Sequence, residues 1–388
     1  MYSDRRYQLL AIAAFLSGAN LRVFDSLLPN IASEFETSVA AAGSVVASFT
    51  LAYGLFQVIY GPLGDRIGRL KTIAIATSIC VIGSLGSAMV GDLNDLTILR
   101  FLTGVGAAGI IPVSLAWIGD HSTYEQRQAS LGSFISFILM GQIIGPSLGG
   151  ALAQLWEWHI IFYCFSLAFF AVTIGLILIA SKENNSPESR TNRQKINPLH
   201  NYRLIVSDSW CRTILLVVFM EGALFYGSFA FVGSWIEADM RLGYLVIGML
   251  LSGFGLGGVI YTLNVRGLLR HLGERGLVIG GSIILTCFFG LLTTLDNTVL
   301  IALFCTVSGF GFYMLHNTLQ TKASEMFPSA RGTAISAFAM CLFSGQAVGT
   351  IMFGGMLSKL GYSASFYCVA IGLLVLGIVF QAELRKHR

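Results

Sequence analysis

The chain has 388 residues, of which 55% are hydrophobic and 11% charged, less than half the charged share of an ordinary soluble protein, about 25%. A soluble fold must cover itself with polar side chains, so this composition excludes one and points to a polytopic membrane protein. The net charge is +4, too small to call for nucleic acid as a partner.

Apolar stretches of roughly 20 residues can each cross a ~30 Å hydrocarbon core as a helix. Twelve can be read in chain order, at about 8–31, 42–63, 72–91, 95–119, 129–154, 159–181, 210–235, 243–265, 276–294, 297–320, 332–357 and 361–382. They lack the period-2 alternation of a membrane barrel, so the expected fold is all-α. The opening "MYSDRRYQLL" resembles a signal peptide, but the apolar run after it is too long and no small-residue cleavage site closes it. The first helix is therefore expected to be retained.

The first helix carries two charges at membrane depth, Arg22 and Asp25 in "NLRVFDSLLPN". Their i, i+3 spacing puts them on one face. The second helix offers Tyr53 and Gln57 as polar candidates for a cavity wall. It ends in "GPLGDRIGRLKT", residues 61–72, which holds four charges and three glycines in twelve positions. The fourth helix carries Arg100 five residues from its outer end, in "RFLTGVGAAG", and Asp120 follows its last residue. The fifth contains "GQIIGPSLGG", where Gly141, Gly145 and Gly149 recur every four residues beside Pro146 and Gly150. Such a stripe lets another helix approach closely, and Pro146 removes a backbone donor.

The longest polar interval, 182–209, divides the chain into residues 1–181 and 210–388, six helices each. Beyond it, Glu221 lies near the middle of the seventh helix. Intramembrane acids are costly and usually functional, so Asp25 and Glu221 are the candidates for binding and releasing protons, with Arg22 three residues before Asp25 and Arg100 at a similar depth in the fourth helix. Phe225 and Ser228 share a helix face with Glu221, and Tyr313, Asn317 and Gln320 share one on the tenth helix, with His316 beside them. Polar groups among aromatics suit an amphipathic or cationic ligand. The segment "RGLLRHLGERG" at 266–276 is a degenerate copy of the 61–72 loop, with Arg270 where the acid would be. No charge latch is expected there.

Orientation follows from Lys and Arg. With the N-terminus in the cytoplasm, 20 of the 24 basic residues fall on cytoplasmic segments and two, Arg241 and Lys359, on external loops. Both termini are expected inside, and the positive charge is a topology signal. The seven cysteines all fall in or at the ends of helices, none at metal spacing, and no cofactor or metal is implied.

An internal repeat supports the two-half plan. "GQIIGPSLGG" at 141–150 matches "GQAVGTIMFGG" at 345–355, and "GVG" at 104–106 matches "GFG" at 309–311, at offsets of 204 and 205. Parallel repeats of this kind build transporters whose halves rock about a central site.

On these motifs the chain resembles the major facilitator superfamily, and within it the twelve-helix bacterial drug/proton antiporter branch. Gly61, Asp65, Arg66, Gly68 and Arg69 match the superfamily's loop between helices 2 and 3, with Leu70 departing from the usual basic residue. The stretch from Arg100 resembles its fourth-helix motif, and residues 141–150 the fifth-helix motif of antiporters. The resemblance implies two pseudo-symmetric six-helix bundles and a charge cluster of Asp65, Arg69 and Asp120 that latches the halves against the eleventh helix. It implies that the first and fourth helices line the cavity, so that Asp25 and Arg100 can pair. It also implies that the Gly141–Gly149 stripe closes the cavity against "SGFGLGG", 252–258, of the eighth helix. The expected function is proton-coupled export of a small molecule across a bacterial inner membrane by a monomer, with substrate, protons and the bilayer as partners. Proton-coupled import is the alternative, and a lipid scramblase or a sensor lies further off. No catalytic constellation is present, so an enzyme is not expected.

Overall fold

In a computed structural model, residues 4–183, 198–328 and 331–386 are described. Most of the expected linker, 184–197, lies outside them. The helices are α1 (Arg5–Arg22), α2 (Leu28–Glu34), α3 (Val39–Ile67), α4 (Arg69–Ser87), α5 (Leu93–His121), α6 (Tyr124–Leu155), α7 (His159–Glu183), α8 (Pro198–Ser207), α9 (Ser209–Glu221), α10 (Gly227–Phe229), α11 (Val232–Met240), α12 (Tyr244–Leu291), α13 (Thr298–Glu325) and α14 (Arg331–Lys386). Among the described residues, ten helical runs are long and apolar enough to cross a membrane.

Two of the ten are double. α12 and α14 are each broken at one glycine in the left-handed region, Gly273 (φ 62°) and Gly361 (φ 75°), where a residue with a Cβ would be strained. The packing shows that the chain reverses there. Before Gly273, Gly253 lies against Ala302 and Thr306, and Gly258 against Tyr313, so the two helices run parallel. After it, Gly281 lies against Leu315 and Gly311 against Ile284, so they run antiparallel. With both turns counted, the spans number twelve, and both ends of the described chain lie at one end of the molecule, here the terminal end.

The sequence repeat is a repeat of caps and contacts. Asp4 caps α1 and Asp208, 204 residues later, caps α9; Asp92 caps α5 and Asn297, 205 later, caps α13. Each side chain accepts from backbone N–H groups that a helix start leaves unpaired. Gly141 packs on the Phe15 carbonyl, and Gly345 on that of Phe219. Gly145 packs on Ala19, and Gly349 on Ala223. Gly104 packs on the Phe49 carbonyl, and Gly309 on that of Phe254. Every pair is displaced by 204 or 205 positions.

Three expectations change in detail. The first span is broken at residues 23–27, because Pro29, at the start of α2, has no N–H to continue the ladder. The equivalent break after α10 carries the same turn, with Leu27 N–H to Phe24 O at 3.1 Å and Phe231 N–H to Ser228 O at 3.0 Å. The expected polar linker contains the short helix α8. Its Ile205 is buried with Cys211, Leu215, Ala334 and Ala337, so it straps α9 to the start of α14.

The halves meet along two seams. α3 lies against α14, with Gly354 on Ala40, Gly43 on Thr350 and Gly54 on Met340 and Ser344. α6 lies against α12, with Gly248 on Pro146, Gly150 on Tyr244, and a Ser147–Ser252 hydrogen bond of 2.7 Å. Apart from the Gly54 contact, which lies near mid-depth, these contacts lie toward the end opposite the termini, here the far end. On the same four helices, a Cβ at Gly61, Gly132, Gly267 or Gly332, toward the terminal end, would meet nothing within 4 Å.

Candidate functional site: a central cavity between the halves

A cavity of about 140 Å³ sits at the seam. The first half supplies Leu21, Arg22 and Gln142, and the second Tyr226, Phe312, Tyr313, His316, Leu342, Phe343 and Gln346. Two pairs of these are repeat mates, 204 positions apart: Arg22 with Tyr226, and Gln142 with Gln346. The cavity therefore lies on the pseudo-symmetry axis, and the Arg22 guanidinium stands 4.2 Å from the centre of its mate's ring. The scaffold is symmetric there and the chemistry is not.

Two acid–base pairs border the cavity. Arg22 Nη1 donates to Asp25 Oδ2 at 3.2 Å, both side chains almost wholly buried. His316 Nδ1 lies 2.9 Å from Glu221 Oε2, also buried. In each pair the base lines the cavity and the acid sits behind it. Asp25 Oδ1 and Glu221 Oε1 have no hydrogen-bond partner among the described residues.

The other expected site residues fall in three groups. Arg100 is buried, but its partner is Asn20 and not Asp25: Nη1 donates to the Asn20 side-chain oxygen and Nη2 to its carbonyl at 3.0 Å. Phe49 and Phe24 cover the guanidinium at 4.2 and 4.8 Å. A neutral amide in an apolar helix is unexceptional, so nothing in the sequence marks Asn20 as that partner.

Phe225 and Ser228 do not line the cavity. Residues Gly222–Tyr226 form a π turn, in which Gly227 N–H reaches the Gly222 carbonyl. The extra residue rotates the face by one position, so Tyr226 replaces Phe225 beside Glu221. Phe225 is buried instead among Phe312 and Phe254, at ring distances of 4.6 and 5.3 Å. Ser228 bonds back to its own helix. Tyr53 is buried against Phe343 at 4.6 Å, and neither it nor the buried Gln57 reaches the lining. On α13, Tyr313 and His316 line the cavity, Asn317 does not, and Gln320 is exposed. Gln142 and Gln346 were missed as lining residues. Their signal was the "GQ" shared by both copies of the repeat.

The glycine stripe also changes its partner. Gly141 and Gly145 pack on Phe15 and Ala19 of α1, and Gly149 on Val23 just after it, within their own half. The contact with α12 is made by Ile143, Pro146, Ser147 and Gly150, with Ser252 donating to the Ile143 carbonyl. One helix face cannot serve two neighbours, and the small residues went to the closer one.

At the terminal end, Gly68 adopts φ 96° and turns α3 into α4. Arg69 then pairs with Asp120 at 2.7 Å and donates to the Ala116 carbonyl. Gly61, Asp65 and Arg66 are exposed on the last turns of α3. The second half carries a counterpart that was not expected: Lys322 pairs with Glu274 at 2.8 Å and lies 3.7 Å from Glu325. Glu274 stands 205 positions after Arg69 and Glu325 205 after Asp120, so the second half has acids at both places and Lys322, three residues before Glu325, is the cation between them. The acid sought at position 270 lies at 274, and its cation is on another helix.

Residues 10–350 match the Major Facilitator Superfamily. The chain belongs to that family: it is a multi-pass membrane transporter and not an enzyme. It is 28% identical to the uncharacterized MFS-type transporter YceJ of Bacillus subtilis over 90% of this chain and 88% of that protein. It is 25% identical to Multidrug resistance protein 1 of B. subtilis, over 95% and 93% of the two chains. It is 24% identical to the multi-drug resistance efflux pump PmrA of Streptococcus pneumoniae, over 96% and 95%. Among solved structures it resembles the nucleoside transporter NupG, with a TM-score of 0.79, 15% identity, and 97% and 99% of the two chains covered, a likeness of fold.

Proposed function

We propose that this transporter exports a small molecule in exchange for protons, by alternating access, with both termini in the cytoplasm of a bacterium and the inner membrane as its site. The observation that carries the reading is the pair of buried acids, Asp25 and Glu221, each held by a base that lines the cavity between the halves. Each keeps one oxygen free of hydrogen-bond donors among the described residues, a place for a proton. Multidrug relatives similar over nearly the whole length support export. The seams close toward the far end, so this conformation is the one open to the cytoplasm. Asp65, with Arg69 and Asp120 already paired within the first half, then serves as the latch that engages the start of α14 when the terminal end closes.

A test is substrate-evoked proton movement in liposomes under an imposed pH gradient, with a panel of amphipathic dyes and antibiotics of both charge signs. The expected result is dissipation of the gradient by the native protein on substrate addition, lost in Glu221→Gln. Transport with no proton movement for any compound would refute the coupling. A second reading, proton-coupled import, draws on the Arg22–Asp25 pair: a proton on Asp25 releases Arg22 for a ligand, so proton and substrate would travel together.

A further inference from the structure

The polar character of the cavity wall is one-sided. Arg22 and His316 line it, while their acids, Asp25 and Glu221, do not. No carboxylate is among the lining residues. A ligand in this space meets the guanidinium and the imidazole first, and behind them finds both acids already engaged, at 3.2 and 2.9 Å. Arginine can only donate hydrogen bonds. Beside it stand two glutamine amides and two tyrosine hydroxyls, all able to donate.

Among the lining residues the unpaired buried polar atoms are donors, while the unpaired acid oxygens, Asp25 Oδ1 and Glu221 Oε1, belong to residues behind the wall. Arg22 Nη2 and Gln346 Nε2 are buried and have no acceptor among the described residues. Arg22 is 3% exposed and Gln346 1%. A buried donor without an acceptor is destabilising, so two at one cavity mark a place where an acceptor belongs. The rest of the wall is apolar and aromatic, with Phe312 stacked on His316 at 4.9 Å and Phe343 opposite. An apolar cavity of about 150 Å³ holds a benzene-sized ring, and this one measures about 140 Å³.

We propose that the cavity selects amphipathic molecules through an anionic or acceptor-rich group, such as an aryl carboxylate, seated at Arg22 and Gln346 with its ring against Phe312 and Phe343. The cationic ligands that polar groups among aromatics first suggest are disfavoured, because the Arg22 guanidinium stands in the wall itself, over the Tyr226 ring at 4.2 Å, and no carboxylate lines the cavity to offset it. This deepens the transport reading and rests on it for the biological role, but not for the binding itself.

The test is equilibrium binding to the full-length protein in detergent, without membrane or gradient. Three ring-matched probes are titrated by calorimetry: benzoate, benzamide and benzylamine. The expected order is benzoate tightest and benzylamine weakest, with about tenfold or more between them, as charge-assisted hydrogen bonds require. Arg22→Gln should remove that preference, Arg22→Lys should keep its direction, and Gln346→Leu should weaken benzoate and benzamide while leaving benzylamine unchanged. If Arg22→Gln does not fold, Gln346→Leu decides alone. Benzylamine binding as tightly as benzoate, a preference that survives Arg22→Gln or is untouched by Gln346→Leu, or no binding of any probe up to its solubility limit would each overturn the proposal. Proton movement plays no part in this measurement. A cation carried against protons in liposomes would sink the anion preference alone, and benzoate binding without proton coupling would sink the antiport reading alone.

Discussion

Glu221 and His316 are 95 positions apart in the chain and 2.9 Å apart in space, with Glu221 wholly buried. A buried acid and base depend on each other unequally. Removing one partner leaves the other unpaired, which typically costs ~3–5 kcal/mol, whereas an amide in place of the acid keeps the hydrogen bond. His316→Leu is therefore expected to lower unfolding stability in detergent by about that amount. Glu221→Gln should cost much less and abolish proton coupling. Equal thermal stability of the two variants would show that the pair is not holding α9 to α13.

The Arg100–Asn20 contact leads to a second expectation. Asn20→Leu removes the side-chain acceptor from a buried guanidinium and leaves only the backbone one. A lost hydrogen bond to a charged group is worth about 1.5–3 kcal/mol, and unfolding midpoints of the purified variant should fall accordingly. Asn20→Asp, which keeps the oxygen, should fold as well as the parent. If Asn20→Leu is neutral, Arg100 is held by its aromatic cover and not by the amide.

Repeat mates should behave alike. A Cβ at Gly145 would run into Ala19 and one at Gly349 into Ala223, both backbone contacts. Gly145→Val and Gly349→Val should each lose about 1–3 kcal/mol or more through overpacking. Gly132→Ala and Gly267→Ala, where nothing lies within 4 Å, should be neutral or gain up to ~1 kcal/mol from helix propensity. Scanning calorimetry of the four variants checks the contrast, and a large loss at Gly132 would contradict the open terminal end.

Asp65→Asn is expected to shift the population toward the conformation open at the terminal end. A carboxylate near a helix N-terminus contributes ~0.3–2 kcal/mol, which moves a two-state equilibrium roughly 2- to 30-fold. Spin labels at the terminal ends of α3 and α14 would report the change as a longer distance population. Lys322→Gln, which breaks a pair within the second half that is already formed in this conformation, should leave the distribution unchanged. An unchanged distribution in Asp65→Asn would leave these charges as topology markers.

Much of the fold was legible as sequence. Hydropathy marks twelve apolar runs because a bilayer accepts only backbones whose polar groups are internally paired. The 204-residue repeat was visible because each half solves the same packing problem, and Gly141 and Gly345 each admit a backbone carbonyl that no larger residue would tolerate. The acids Asp25 and Glu221 stood out because charge is rare where water is absent.

The partners of those residues were decided only in three dimensions. Nothing local to Glu221 points to His316, nor to Asn20 as the holder of Arg100, because each pair joins different helices. The π turn at Gly222–Tyr226 exchanged Phe225 for Tyr226 at the cavity, a one-residue rotation that 3.6-residue periodicity does not register. The glycine stripe is a property of one helix, whereas its partner, α1 in place of α12, depends on which neighbour comes closest. Chain-local physics determined which segments span and which residues are too costly to be idle. The meeting of the halves determined which of those residues face the same space.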